Sequence, residues 1–498
     1  MQTNENMPNA IVIGAGIAGL ASAVRLAHAG YTVDVFEANP FVGGKINSKT
    51  LGDYRFDMGP SVFTCPEYVK ELYDLCGKDF REFPYEKLPD TFTYYYPDGQ
   101  RFTLPSERGP LLDVLETELG EDRRQLERFL NKAEENYDLI APLFIEASLH
   151  RTSHILNNKL FKALWHLPQY RLGLTMDEEN QRFFKNPKTI QLMNRFASYN
   201  GSSPYQAPAM LNMIAHLELN DGAYLPEEGM VQIPQKVYGL AKDLGVQFHF
   251  NEKVEEILVE GKTVKGIRTA QGEYQAEVVF SNMDVAFTYE KLLPQQKHPE
   301  NILKQEKSSS ALVFYLGINR SFPELGVHNI FFSQDYQSEY EHIFQKKALY
   351  NDPTIYLNIT AKAVPGDAPE GCENWFLMIN TPVLEGHDWE QETPRLRKIM
   401  LDKVSKALNC DIRQHIEVET MMNPALIEQW YSGKKGSIYG NASNNRYAAF
   451  YRHANFSKDI QGLYFVGVTV HPGGGIPLAL NSAKIAVRCL EEDRGKLN

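Results

Sequence analysis

The chain has 498 residues, of which 43% are hydrophobic and 23% charged, and these proportions argue against a mostly disordered protein. This length allows roughly two to four domains. With 51 Lys and Arg against 63 Asp and Glu, the net charge is −12, which disfavours a nucleic-acid binder.

The five cysteines form no C-x-x-C pair and are odd in number, which disfavours a zinc knuckle and a disulfide framework and indicates a reducing compartment. No stretch offers the ~18 apolar residues of a membrane span. Residues 1–9 contain no Lys or Arg, unlike a signal peptide. We therefore expect a cytoplasmic protein.

The first elements predict a dinucleotide site. Residues 10–13 are typical of a buried parallel strand, and Gly14, Gly16 and Gly19 follow in G-x-G-x-x-G spacing. A helix over 18–29, a strand over 31–36 and then Glu37 complete the unit. The glycines allow a tight turn, close approach of a pyrophosphate and close packing of helix on strand. Glu37 suits the ribose hydroxyls of the adenosine and would repel a 2′-phosphate.

A second glycine pair, Gly43-Gly44-Lys45, and the segment 57–61 (Asp-Met-Gly-Pro-Ser) follow shortly afterwards. A simple NAD domain has no need of them, so they favour FAD, with Lys45 near its phosphates. The alternative is a solvated turn.

Near the carboxyl end, a strand over 462–467 leads to three consecutive glycines, Gly473 to Gly475, and then to a helix over 478–490 with Pro477 in its first turn. The helix N-terminus would stabilise negative charge such as that on the N1–O2 side of a reduced flavin. The alternative is a glycine-rich turn with no ligand.

At these places the chain resembles the bacterial carotenoid desaturases, the phytoene-desaturase-like branch of the FAD-dependent amine oxidase superfamily. Further matching segments are 226–230, 278–284, 451–455 and 462–482. The chain departs from the family's pattern at Lys45, where relatives often have Arg, at His453, where they often have Pro, and at the larger residues 468–470. These departures bear on the substrate, not on the fold.

The resemblance implies noncovalent FAD, and no Cys lies in the loop 471–477 where a thioether link would form. It also places Val254 at the adenine side through its backbone. The residues expected at the cofactor are Gly14, Gly16, Ile17, Ala18, Gly19, Glu37, Gly43, Gly44, Lys45, Gly59, Pro60, Ser61, Val62, Val254, Asn282, Gly467, Gly475 and Ile476.

We expect an α/β protein with three parts. They are a Rossmann-like FAD-binding domain from segments 1–85, 225–290 and 420–498, a sheet-based substrate domain from 86–105 and 291–419, and a helical domain over 106–224. Strands are predicted at 246–250, 254–260, 264–269 and 274–280, and a second sheet at 311–318, 354–360 and 375–380. A further strand over 415–421 has no clear domain.

Residues 147–176 contain no Asp or Glu but carry Arg151, Lys159, Lys162 and Arg171 with interleaved aromatic residues. Such a stretch suits an anionic membrane surface, so peripheral binding to the inner face of the membrane is one interpretation. The other is a helix pair lining the substrate cavity with solvated basic residues. His150 and His154 have zinc-compatible spacing but no obvious third ligand, so we expect no metal.

The leading hypothesis is an FAD-dependent desaturase of a long polyene, with quinone or oxygen as electron acceptor. Flavin takes a hydride from an allylic carbon, and the resulting cation loses a proton without needing a strong base. Arg452, His453 and His471 are candidates to lie near the ring, although packing and loop hydrogen bonds explain them equally well. The overall likeness is to enzymes that form a 3,4 double bond in a 1-hydroxylated carotenoid.

Four alternatives stay open. They are phytoene or dehydrosqualene desaturation, a carotenoid isomerase or retinol-saturase-like enzyme, a flavin amine oxidase and a carotenoid carrier that retains FAD. An amine oxidase would need an aromatic cage, for which Tyr439 and Tyr447 form no decisive pair.

Overall fold

The computed structural model describes residues 7–155, 166, 170–171, 173–448 and 451–495. Within them the chain folds into mixed helices and sheets, which confirms the α/β class. The α-helices are Ile17–His28, Glu67–Leu75, Arg108–Leu119, Arg123–Ile140, Thr152–Ile155, Met176–Phe183, Pro187–Asn194, Ile214–Leu219, Gln232–Asp243, Val285–Phe287, Glu300–Leu303, Tyr336–Glu341, Trp389–Ala407, Pro424–Tyr431 and Ile476–Asp493. Shorter 3-10 or π segments are Phe80–Glu82, Ala141–Ile145, Arg195–Asn200, Ala209–Met213, Thr288–Leu292, His342–Lys346, Thr360–Lys362, Ile412–His415 and Lys434–Gly436.

A five-stranded parallel sheet is built from distant parts of the chain. Its strands, in spatial order, are Leu463–Phe465, Val278–Ser281, Asn9–Ile13, Thr32–Glu37 and Gln247–Phe250. The strands are short. They are mostly buried because helices cover the sheet, and the helices Ile17–His28 and Ile476–Asp493 pack together on it. All five strands lie within the segments 1–85, 225–290 and 420–498.

The second large sheet has seven strands. Its order is Ile416–Met422, Ser310–Ile318, Glu373–Thr381, Ile355–Ile359, His328–Phe331, Asp90–Tyr95 and Arg101–Pro105. The strand predicted over 415–421 without a domain is thus an edge strand here, and its alternating exposure fits one wet face. The division into three domains is not tested by this arrangement and stays a prediction.

The prediction of one strand over 274–280 is wrong. Gly272–Gln275 pairs antiparallel in a three-stranded sheet with Thr263–Thr269, which in turn pairs with Val254–Glu260. After two residues the chain resumes as Val278–Ser281, parallel to Asn9–Ile13 in the five-stranded sheet. An alternating apolar pattern, at positions 274, 276, 278 and 280, therefore spans two strands that belong to different sheets. Two small antiparallel pairs complete the strands: the hairpin of Ser48–Leu51 with Tyr54–Asp57, and the pair of Tyr85–Lys87 with the distant Tyr224–Pro226.

Candidate functional site

A cavity of about 970 Å³ opens where the parallel strands end. It is lined by Gly14, Glu37, Asn282 and Gly467, which stand at or just beyond the carboxyl ends of four of the five strands. In open parallel sheets this edge is where ligands bind. Every residue that the sequence predicts at the cofactor lines this cavity except Gly19.

Gly19 allows close packing of the first helix on the first strand, and its contact with the cofactor stays a prediction. A Cβ on Gly19 would lie 2.0 Å from the carbonyl oxygen of Gly14, so the helix Ile17–His28 approaches the first strand only because no side chain is present. At Gly16 a Cβ would lie 2.7 Å from the terminal amide group of Asn282. Gly43 donates its backbone N–H to the Ala15 carbonyl at 2.8 Å, which brings the second glycine pair onto the first. The two glycine motifs therefore form one cradle of bare backbone.

Glu37 is buried at the end of its strand and holds this cradle in place. Its Oε2 accepts a hydrogen bond from the Ala15 backbone N–H at 2.8 Å, and its Oε1 accepts from both the backbone and side-chain amides of Asn39 at 2.9 Å. A carboxylate has about four acceptor positions, so these three bonds leave capacity for a ribose hydroxyl. The cavity residues Lys253 and Val254 follow the fifth strand nearby, and Glu252 donates its N–H to the Glu37 carbonyl.

Lys45 directs its amino group away from its own glycine pair. Its Nζ donates to the Ile438 carbonyl at 2.9 Å, beside Tyr439. Burial lowers the pKa of Lys45 to about 8, with a weaker opposing effect from Asp284. The structure thus places this cation on the Tyr439 side of the cavity, while the predicted role at the phosphates is untested.

The segment 57–61 is fixed by a buried carboxylate. Asp57 pairs with Arg55 at 2.8 Å and its Oδ2 accepts the Met230 backbone N–H at 2.8 Å. These contacts join two sequence motifs, 57–61 and 226–230, that are far apart in the chain. Burial raises the pKa of Asp57, although Arg55 opposes this shift. Ser61 then meets the seven-stranded sheet, where its hydroxyl lies 2.7 Å from that of Tyr356.

The triple-glycine loop adopts a backbone that glycine favours, with φ of +140° at Gly473 and +114° at Gly475. A Cβ on Gly475 would meet only Pro477 at 4.0 Å, so this face of the loop is open to the cavity. Gly474 lies against Tyr439, whose Cβ would be 2.7 Å from a Cβ at that position. The helix Ile476–Asp493 begins directly afterwards with no side-chain cap on its first N–H groups.

The three candidates near the ring separate in the structure. Arg452 lines the cavity, whereas His453 and His471 are not among its described lining residues. His453 is bonded to the Ala454 carbonyl and to the Tyr289 hydroxyl, and His471 to the Ala147 carbonyl at 2.7 Å. Burial lowers the pKa of His453 to about 4 and that of His471 to about 3, so both are neutral at pH 7. Packing and loop hydrogen bonds account for both histidines.

Beyond the glycine loop the cavity wall becomes mainly apolar and aromatic. The seven-stranded sheet and the helical segment contribute the side chains that share this character: Val313, Ile330, Tyr356, Phe376, Met378, Met210, Leu211, Met213 and Ile214. Tyr439 lines this wall, but Tyr447 is 56% exposed, so the two do not form a cage. Sequence reasoning did not find most of this wall, because its members share no local motif.

One turn breaks the apolar pattern. Residues of the segment Arg195–Asn200 line the cavity with polar groups, and Arg195 pairs with Glu218 at 2.6 Å, both side chains being buried. Arg195 also donates to the Tyr94 hydroxyl at 2.8 Å, and Tyr199 donates to Glu218. The Oδ1 atom of Asn200 is buried with no hydrogen-bond partner among the described residues.

Comparison with known proteins agrees with this geometry. The family described as flavin containing amine oxidoreductase matches residues 17–490. The chain is 46% identical to a 1-hydroxycarotenoid 3,4-desaturase of Flavobacterium sp. (strain P99-3), over 96% of this chain and 98% of the relative. It is 32% identical to a 4,4'-diaponeurosporene oxygenase of Staphylococcus aureus (strain MRSA252), over 95% and 96%. Among solved structures, cyclohexylamine oxidase from Brevibacterium oxydans IH-35A is similar with a TM-score of 0.62 at 14% identity, over 98% of this chain and 100% of that one, which shows the fold.

Proposed function

The chain belongs to the flavin-containing amine oxidoreductase family and is an FAD-dependent oxidoreductase, and we propose that it is a carotenoid desaturase that forms the C3–C4 double bond of a 1-hydroxylated carotenoid. The residues present fit FAD, since the glycine cradle, Glu37 and the open face of Gly475 meet in one cavity. When bound, FAD supplies the acceptor for a hydride from an allylic carbon. The chain's own task is to hold that carbon in place and to exclude water.

We propose that FAD is held without a covalent bond. The described cavity-lining residues include one cysteine, Cys65, and no histidine. Burial raises the pKa of Cys65 to about 12, so its thiol stays protonated and unreactive. Release of intact FAD on denaturation, with a colourless precipitate, is the expected result.

The apolar wall supports a polyene substrate, and the polar turn Arg195–Asn200 supports a hydroxylated one. A buried amide oxygen without a partner, as at Asn200, is costly unless a ligand supplies the donor. We propose that the Asn200 amide turns toward the cavity on binding, so that a substrate hydroxyl donates to this oxygen. This polar turn is the observation that carries the choice of a hydroxylated substrate.

The position of the turn also suits the chemistry. In a 1-hydroxylated end group, C1 lies only two bonds from C3, so the hydroxyl must bind close to the hydride acceptor. Gly201, directly after Asn200, packs on Tyr439, where a Cβ at Gly201 would lie 2.8 Å from the ring. Tyr439 in turn packs on Gly474 of the glycine loop. One aromatic side chain therefore separates the polar turn from the loop expected to receive the flavin.

The test compares two substrates that differ only in the 1-hydroxyl group. We expect the parent enzyme to favour the hydroxylated polyene in kcat/KM by about 5- to 150-fold, corresponding to about 1–3 kcal/mol for an unpaired buried polar group. Asn200→Leu should lose most of this preference, while Asn301→Leu, a change on an exposed helix residue, should keep it. A parent enzyme that does not discriminate, or an Asn200→Leu variant that discriminates as well as the parent, would contradict the proposal.

Product analysis separates the remaining alternatives. A desaturase product has lost two hydrogen atoms, an isomerase product has the mass of the substrate, a saturase product has gained two hydrogen atoms, and an oxygenase product has gained oxygen. Reduction of the flavin on anaerobic addition of substrate distinguishes an enzyme from a carrier. Reoxidation by a quinone or by oxygen then identifies the electron acceptor, for which we propose one of these two.

We propose that the enzyme takes its substrate from an anionic membrane surface through residues 147–176. The structure has no helix, among the residues it describes, that is long and apolar enough to cross a bilayer. Lys159 and Lys162 lie outside the described residues. Arg151 pairs with Asp493 at 2.5 Å and lies over the Phe456 ring, so its charge is already engaged.

The membrane test therefore leaves Arg151 in place. Changing Lys159, Lys162 and Arg171 to Glu should weaken salt-sensitive binding to anionic liposomes, since each cation contributes about 1 kcal/mol at such a surface. Changing the exposed Lys398 and Lys304 and Arg446 to Glu gives a control with the same change in net charge. Equal liposome binding by both triple variants would place the docking surface elsewhere.

A further inference from the structure

Arg452 is a buried cation whose charge is not balanced by any carboxylate among the described residues. Only 4% of its surface is exposed. Its Nη2 donates to the Asn441 carbonyl and to the Ser443 hydroxyl, both at 3.2 Å, and its Nη1 is buried with no partner in the described part of the chain. The contrast is Arg195, which is equally buried but has Glu218 at 2.6 Å.

The guanidinium lies directly against the triple-glycine loop. A Cβ on Gly473 would be 3.0 Å from Cζ of Arg452 and 3.1 Å from its Nε. Arg452, Gly474 and Gly475 all line the cavity, and the uncapped N-terminus of the helix Ile476–Asp493 begins at the same place. Two sources of positive potential, a full charge and a helix N-terminus, therefore converge on one part of the cavity.

Burial lowers the pKa of Arg452 to about 10, so the group still carries its charge at pH 7. Keeping an isolated charge in an apolar interior is unfavourable unless an opposite charge arrives there. Transfer of a hydride adds two electrons and one proton to FAD, and the ring then carries one net negative charge. The oxidised ring is neutral, so this charge appears only during the reaction.

We propose that Arg452 is the electrostatic partner of this negative charge and raises the reduction potential of the bound flavin. Because the oxidised ring is neutral, the cation stabilises the reduced cofactor more than the oxidised one. This inference depends on FAD binding alone and holds for any hydride donor, so it does not rest on the carotenoid substrate. A competing role, binding of the FAD pyrophosphate, would stabilise both redox states equally and leave the potential unchanged.

The experiment measures the two-electron midpoint potential of the holoenzyme without substrate, by reduction in the presence of reference dyes. We expect Arg452→Met to weaken binding of reduced relative to oxidised FAD at least tenfold, which lowers the potential by about 30 mV or more. Arg452→Lys keeps a cation and should recover most of the loss. Arg446→Met, which removes an exposed arginine six residues earlier, should leave the potential unchanged.

A potential for Arg452→Met within about 10 mV of the parent would overturn the proposal, because a tenfold effect corresponds to about 30 mV. If Arg452→Met retains too little FAD for this measurement, Arg452→Gln, which keeps a donor for Asn441 and Ser443, replaces it. Should both variants release FAD, the Kd values of the apoprotein for oxidised and reduced FAD are measured anaerobically. Equal losses in the two states would assign Arg452 to the pyrophosphate or to the fold, and a larger loss for reduced FAD would support the proposal.

Discussion

Replacing Glu37 by Ala tests the core of the proposed cofactor site, because this carboxylate holds the glycine cradle in place and is predicted to bind the ribose. In the protein it accepts hydrogen bonds from the Ala15 N–H at 2.8 Å and from two Asn39 donors at 2.9 Å. Losing one charge-assisted bond to a ribose hydroxyl costs about 1.5–3 kcal/mol, which weakens FAD binding about 10- to 150-fold. Leaving the buried Ala15 N–H without an acceptor adds about 1–3 kcal/mol of instability to the apoprotein.

The two effects are measured separately. Titration of the apoprotein with FAD, followed by flavin fluorescence, gives the Kd, and thermal unfolding without FAD gives the change in stability. Glu37→Gln keeps a neutral acceptor and should fall between the parent and Glu37→Ala in both. Glu255→Ala, at an exposed strand position, is the control. A Glu37→Ala variant with a Kd within threefold of the parent would refute the assignment of Glu37 to the ribose.

Three further outcomes are expected. Gly475→Val should fold but fail to retain FAD, as seen by flavin absorbance, because φ of +114° strains a β-branched residue and its side chain would project into the cavity; normal flavin content would contradict this. Burial lowers the pKa of His453 to about 4 against about 6.5 when unfolded, so its contribution to stability is complete above pH 6.5 and is lost as the pH falls toward 4. The melting temperature of His453→Gln should therefore fall less than that of the parent between pH 7 and pH 5, and parallel curves would exclude the effect. Arg195→Met alone should destabilise by about 3–5 kcal/mol, and adding Glu218→Leu should restore part of the loss, since a lone buried charge is worse than none; additive losses in urea unfolding would show that the pair is not coupled.

The nucleotide half of the site could be predicted from the sequence because each of its requirements is local. Gly19 must lack a side chain because its Cβ would lie 2.0 Å from the Gly14 carbonyl oxygen. This steric requirement places a glycine at a fixed distance in sequence from Gly14, where it can be recognised. The strand, turn, helix and Glu37 follow one another within 30 residues, so their order in the chain is also their order in space. The predicted strand over 254–260 matches Val254–Glu260 for the same reason, since turns at 261–262 and 270–271 delimit it and the next strand.

The contacts between the nucleotide motifs and the rest of the cavity could not be predicted in this way, because the residues that form them are distant in the chain. Ser61 meets Tyr356, which is 295 positions away, and Lys45 meets Ile438, which is 393 positions away. Neither pair leaves a signal in composition or periodicity. The strand expected over 274–280 failed for a related reason: hydrophobic alternation reports burial, and it does not report which of two sheets a strand joins.

The two buried arginines of the cavity, Arg195 and Arg452, differ in whether a neighbouring carboxylate neutralises their charge. Glu218 neutralises Arg195, so the polar turn offers hydrogen-bonding atoms without a net charge, and such a surface suits a neutral hydroxyl group. Arg452 has no such partner among the described residues, so its charge is available to a group that becomes negative only during turnover. A carboxylate added beside Arg452 would neutralise its charge, so the reduced flavin would no longer be stabilised more than the oxidised one. Removing Glu218 would leave Arg195 unpaired and make the Arg195 end of the cavity cationic. We therefore propose that a carboxylate beside Arg195, and none beside Arg452 among the described residues, suit one end of the cavity to substrate binding and the other to electron transfer.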